Sequence, residues 1–133
     1  MITPPKRGQP KEDPSRPIYK PFGKFGFTLR ITATQLRKST INANKIVRRP
    51  LRASGLVDYS RVKPGKKEVL PCTMRIGGKV VQTRASFLIP KRRSEKSPEP
   101  RLWPYKLSSM APPNTLLWFI AHEGHLEVRD SEP

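Results

Sequence analysis

The stretch from which the rest of the chain can be read is Leu70-Pro71-Cys72-Thr73-Met74-Arg75-Ile76-Gly77-Gly78-Lys79-Val80-Val81-Gln82-Thr83-Arg84-Ala85-Ser86-Phe87. Leu70, Cys72, Met74 and Ile76 alternate with Pro71, Thr73 and Arg75. Val81, Thr83, Ala85 and Phe87 keep the same spacing beyond the glycines. Side chains of a strand point alternately to its two faces, so this period of two predicts strands with one buried face. Gly77-Gly78 between them predicts a tight hairpin, because the favoured turn needs positive φ at both central residues. Pro71 has no N–H to give to a ladder, which predicts an edge strand or a bulge.

Upstream, Phe25, Phe27, Leu29 and Ile31 alternate with Gly26, Thr28 and Arg30 and predict a second strand with one buried face. Ile41–Arg49 mixes β-branched residues with Asn and Arg and reads as a short strand running into a loop. Pro50 suits the first position of a helix and Gly55 its end, which predicts a short helix over Pro50–Ser54. Leu51 and Leu56 would then plug one end of a barrel. Downstream, Pro90–Pro100 reads as a basic, proline-bounded loop, followed by a strand around Arg101–Tyr105. Lys106–Ala111 fits one helical turn, stopped by Pro112-Pro113. Leu116-Leu117-Trp118-Phe119-Ile120 is a continuous apolar run, expected of a strand buried on both faces. Gly124 turns the chain into Leu126–Arg129. The inventory is mainly β, roughly seven strands and about two short helices without internal repeat, as in a small open barrel or folded-over sheet.

The 133 residues suit one domain with a modest core. Pro4, Pro5, Pro10, Pro14, Pro17 and Pro21 crowd the first 21 residues among Lys, Arg, Gln and Ser. Such a segment buries too little apolar surface to offset its ordering entropy, so residues 1–21 are expected to form a basic arm or strap and 22–133 the folded body. Formal net charge is +17, and no acidic residue occurs between Pro14 and Val57, where Arg30, Arg37, Lys38, Lys45, Arg48, Arg49 and Arg52 accumulate. Acids gather instead at Glu123, Glu127, Asp130 and Glu132. Sorting of this kind builds one positive face, which a phosphate backbone attracts.

No apolar run approaches the roughly 20 residues needed to span a bilayer. A proline-rich start is not a secretory signal, so no membrane partner is expected. Cys72, the single cysteine, allows no internal disulfide and fits a reducing, intracellular setting. Together with only two histidines it argues against a zinc site, and no cofactor is expected. His122-Glu123-Gly124-His125 lacks the spacing of helical zinc motifs, and its histidines are expected to point apart across a hairpin turn. A nuclease would need clustered carboxylates, whereas Asp58 and Glu68 stand alone in the middle of the chain. Cys72 has no nearby histidine to activate it. No enzyme is predicted.

What remains is base-reading chemistry. Lys91, Arg92, Arg93, Ser94, Glu95 and Lys96 are held between two predicted strands and mix cations with an acid. Arg pairs bidentately with guanine and Glu accepts from cytosine, each contributing about 1–3 kcal/mol of discrimination. A patch for phosphates alone would have no use for Glu95. Asn42, Asn44, Lys45, Arg48 and Arg49 form the second candidate, since Asn pairs with adenine. They fit an asparagine-rich turn equally well. Trp103, Tyr105, Trp118 and Phe119 read as core, with Trp103 and Tyr105, on one strand face, the pair best placed to stack on unpaired bases.

Lys91-Arg92-Arg93-Ser94-Glu95-Lys96, shortly before Arg101-Leu102-Trp103, resembles the recognition loop in the N-terminal effector domain of EcoRII-type restriction endonucleases. Pro113-Asn114-Thr115-Leu116-Leu117-Trp118-Phe119 is similar to that domain's late strand, and Asn44–Pro50 to its first recognition arm. The resemblance covers about half the chain. It implies a seven-stranded open pseudobarrel, shared with plant "B-three" domains, that acts as a monomer and clamps the major groove of double-stranded DNA between two arms. Asn44, Lys45, Arg48 and Arg49 would fall in the N-terminal arm and Lys91, Arg92, Arg93, Glu95 and Lys96 in the C-terminal one. The implied target is CC(A/T)GG and the implied setting a prokaryotic cytoplasm. Ser97-Pro98 stands where the family has a further basic residue, so the far end of that loop is expected to differ. The nuclease domain that usually follows is not among these residues, which suits either an N-terminal portion or a free-standing relative. The alternative is a ribosomal-type or single-strand RNA-binding protein using the basic face with Trp103 and Tyr105.

Overall fold

The computed structural model describes residues 16–58, 61–90 and 99–133. Among them the chain forms β1 (Ile18–Phe22), β2 (Gly26–Arg30), α1 (Ala33–Lys38), β3 (Ile41–Asn42), α2 (Lys45–Ala53), β4 (Lys67–Ile76) and β5 (Lys79–Leu88). β6 (Arg101–Pro104), α3 (Leu107–Met110), β7 (Leu116–His122) and β8 (His125–Arg129) complete it. The strands make one sheet in the order β1-β2-β7-β8-β4-β5-β6-β3, curled into an open half-barrel. All neighbours are antiparallel except β4 and β8, which run parallel from Cys72↔Leu126 to Arg75↔Arg129. The mainly β expectation holds, with eight strands and three short helices among the described residues in place of seven and two.

The β4–β5 hairpin follows the alternation. Leu70, Cys72, Met74 and Ile76 are buried, as are Ala85 and Phe87, while Val81 and Thr83 are half-buried. Gly77 and Gly78 take φ of 61° and 73°, a left-handed pair that side chains adopt only at a steric cost. Pro71 corrects the edge-or-bulge expectation. β4 lies inside the sheet, and its register on β5 runs unbroken from Lys67↔Leu88 to Ile76↔Lys79. Pro71 is tolerated because the ladder to β8 begins only at Cys72.

Phe27, Leu29 and Ile31 are buried as the alternation predicts, and Phe27 stacks on Phe119 with ring centroids 4.5 Å apart. Phe25 is instead 43% exposed, because it stands in the turn before β2 begins. β7 is also less buried than a strand covered on both faces: Leu117, Phe119 and Ala121 are buried, Trp118 and Ile120 half-buried, and Leu116 exposed. Its single inward face alternates like any other strand of the half-barrel.

Three elements depart from the sequence reading. Ile18–Pro21, assigned to the arm, belong to β1, which pairs with β2 from Ile18↔Arg30 to Phe22↔Gly26; β1 ends the sheet order, where a strand can hold Pro21. The rest of the arm lies outside the described residues up to residue 15. α1 is capped by Thr32, whose hydroxyl accepts from the Gln35 amide while Gln35 accepts from the Thr32 amide, both at 3.1 Å. Finally, the helix expected over Pro50–Ser54 begins at Lys45, and Pro50 lies in its interior. Leu51 is fully buried in the core and Leu56 packs against its margin.

Candidate nucleic-acid interface

α2 carries most of the N-terminal candidate residues. Asn44 is its N-cap, and Asn44 Oδ1 accepts from the Val47 amide at 3.2 Å, satisfying a donor that the first turn would otherwise leave without a partner. Val47, Pro50 and Leu51 face the core. Lys45, Arg49 and Arg52 are exposed, and their spacing of four and three places them on one helix face. Arg48 is half-buried: its Nη1 donates to the Ala43 carbonyl at 2.8 Å and stands 3.8 Å from the Glu99 carboxylate.

Between α2 and the β1–β2 turn lies a cleft of about 680 Å³. Pro21, Gly23 and Gly26 form one wall, and Lys45, Arg48, Arg49 and Arg52 line the other. Gly26 is needed here, since a Cβ would fall 2.8 Å from the Phe22 carbonyl and 2.9 Å from Ile120 Cδ1. No carboxylate belongs to the lining among the described residues. Guanidinium groups stay charged at any physiological pH and match phosphate geometry, and a groove lined by one sign of charge concentrates the field. The cleft is chemically suited to phosphate oxygens.

Lys91, Arg92, Arg93, Ser94, Glu95 and Lys96 lie outside the described residues, but the stem of their loop does not. Ala43 donates its amide to the Pro100 carbonyl at 2.7 Å. Arg48 reaches Glu99, and Asn42 pairs with Arg101 across β3 and β6. The root of the β5–β6 loop is thus joined to the start of α2, and the two segments singled out in the sequence meet at their bases. Asn42 is exposed, and with Arg101 it lines a second, polar cleft of about 530 Å³ that Tyr19, Thr32, Gln35 and Lys38 share.

Trp103 is only 9% exposed and Phe119 fully buried, both in the core, and half-buried Tyr105 packs against it, whereas Trp118 is half-buried on the opposite face of β7. Among the described residues the exposed large aromatic is Phe25, in the turn whose Gly23 and Gly26 line the basic cleft, with Lys24 Nζ 5.3 Å over its ring. Sequence alternation hid it by assigning Phe25 to a buried face. Arg52 was also outside the candidate set; reading Lys45, Arg49 and Arg52 at helical spacing would have found it.

The histidines correct an expectation. His122 and His125 pair across the β7–β8 turn and stack, with ring centroids 4.5 Å apart, because directly opposed residues of a hairpin share a face. His122 Nε2 stands 2.8 Å from Glu127, which also contacts Arg75 at 3.2 Å and Arg129 at 3.5 Å. Burial acts to raise the Glu127 pKa, but the His122 hydrogen bond and the neighbouring cations outweigh it and hold the carboxyl below its ordinary value. No group of three metal-ligating side chains occurs among the described residues. Cys72 is buried, which pushes its thiol up to about 12, unsuited to nucleophilic attack. Among the described residues no helix is long and apolar enough to cross a membrane. No protein-family profile matches the chain, and neither a curated protein nor a solved structure is detectably similar to it.

Proposed function

We propose that this chain is a non-catalytic, sequence-specific reader of double-stranded DNA that lays two arms, the α2 face and the segment 91–98, in one major groove. The observation that carries the reading is the join between them: the stem of a loop rich in Arg, Lys and Glu is tied to α2 through Ala43–Pro100 and Arg48–Glu99, beside a cleft lined by four cations. Phosphate contacts fix register on a duplex and base-edge contacts supply specificity. The cleft offers the first kind of chemistry, and Arg93 and Glu95 offer the second. The curled β half-barrel supports a B-three-like pseudobarrel. With the Lys91–Lys96 resemblance, it supports the role of specificity domain for a restriction endonuclease that recognises CC(A/T)GG in a prokaryotic cytoplasm, the nuclease lying elsewhere.

Arg93→Ala and Glu95→Ala are each expected to erase the preference for a CC(A/T)GG duplex over a scrambled one. Weak, salt-sensitive binding should persist, because the phosphate contacts remain. Competition binding with the two duplexes measures this directly. Full discrimination by both variants would show that base reading lies elsewhere.

A further inference from the structure

We infer that Phe25 is a wedge that enters the base stack of bound duplex DNA, with Lys24 as its phosphate clamp; the inference rests on the DNA-binding reading above. Gly23, Lys24 and Phe25 form the turn between β1 and β2, closed by the Phe22↔Gly26 pair. The turn is a rigid mount. Gly23 takes a φ of 64°, and the Phe25 carbonyl accepts from the Ala121 amide at 2.7 Å, tying the backbone to β7. A large apolar ring held 43% exposed at a turn realises only part of the burial it could contribute to the fold. A single exposed apolar residue is ordinary on a protein surface, but its setting here is not. Gly23 and Gly26, the residues that bracket Lys24 and Phe25, both line the cationic cleft, so the turn that carries the ring is mounted on one wall of that cleft, with Lys24 and Phe25 themselves outside the lining.

The chemistry of the pair fits a nucleotide step. Aromatic and apolar side chains inserted between base pairs from the minor groove partly unstack them and kink the duplex toward the major groove, where the two arms would lie. Lys24 Nζ lies 5.3 Å from the Phe25 ring centroid, an arrangement that keeps a cation beside the ring as the ring meets a base. The phosphate flanking an opened step is then the natural partner of that ammonium. Val69, Val80 and Leu116, the other large apolar side chains that stand exposed among the described residues, are aliphatic and offer no π-face for stacking.

The test uses the full chain and a CC(A/T)GG duplex carrying 2-aminopurine at the central adenine or at adenines flanking the site, whose fluorescence rises when the base is unstacked. The unmodified chain should raise the signal at one position. Phe25→Ala should abolish that rise and weaken binding roughly tenfold, with the salt dependence of affinity unchanged. Phe25→Trp should restore both. Lys24→Ala should keep the fluorescence rise but reduce the slope of log K against log salt by about 1. Duplex binding by Phe25→Ala with unaltered affinity and fluorescence overturns the wedge while leaving the DNA-binding reading intact. Failure of the unmodified chain to bind any duplex overturns both.

Discussion

Tyr19 fastens the half-barrel where its two ends approach each other. Its hydroxyl accepts from Gln35 Nε2 at 3.2 Å and shares a backbone hydrogen bond with Asn42, so one atom joins β1, α1 and β3. Gln35 in turn closes the cap of α1, which couples the seam to the helix start. Burial, opposed by the hydrogen bonds from Gln35 and Asn42, pushes the phenol from 10.0 up to about 12. A group whose folded pKa is raised contributes stability that is complete below its unfolded pKa and lost as pH rises through the folded one. The window here runs from pH 10 to about 12. Tyr19→Phe should therefore cost about 1 kcal/mol near neutral pH, by leaving the buried Gln35 amide without its acceptor. It should also make the alkaline loss of stability shallower, though not flat, since buried Cys72 titrates upward in the same range. Urea unfolding at neutral and alkaline pH measures both effects, and an unchanged neutral stability would mean the hydroxyl fastens nothing.

At the scale of elements, the parts legible in the sequence are those whose pattern has one physical meaning. The β4–β5 hairpin is such a case, because alternation and a Gly-Gly turn agree. α2 was hidden because Pro50 suits a helix start, and that outweighed Val47, Pro50 and Leu51 recurring at helical spacing with Asn44 ahead of them. α1 has only six residues, too few for periodicity, yet Thr32 and Gln35 form a capping box that could have been read. β1 was masked by Pro21 and the prolines ahead of it, a composition that matches a disordered tail as well as a sheet edge. For the candidate site, residue types were legible and their division of labour was not. Asn44 Oδ1 is engaged by the Val47 amide, so bidentate adenine reading would have to share that oxygen with the cap. Asn44→Ala should cost about 1 kcal/mol of stability, whereas Asn44→Ser should keep the cap and nearly all of that stability. If Asn44 positions α2 and does not read bases, the Ser variant will also keep the native preference for A·T at the centre of the site. Thermal denaturation with binding to duplexes altered at that pair separates the two roles, and loss of preference in the Ser variant would restore base reading.

For the whole molecule, the question is whether a net charge of +17 acts as an unspecific field or as a positioned surface. The acids do little to offset it at long range, since Glu127 is already compensated by Arg75, Arg129 and His122. The cleft concentrates Lys45, Arg49 and Arg52 beside the Lys24 turn. If these make about four phosphate contacts, log K should fall against log salt with a slope near −3.6, roughly a hundredfold between about 50 and 200 mM. Base contacts release few counterions, so cognate and scrambled duplexes should weaken in parallel and their ratio should hold as salt rises. A ratio that collapses toward one would mean that the arms only hold phosphates. Tighter binding to the matching single strand would instead favour the RNA-type alternative. Trp103 is buried and Tyr105 half-buried, which weakens the support for that alternative; a preference for single strands that Phe25→Ala abolishes would place the stacking on Phe25.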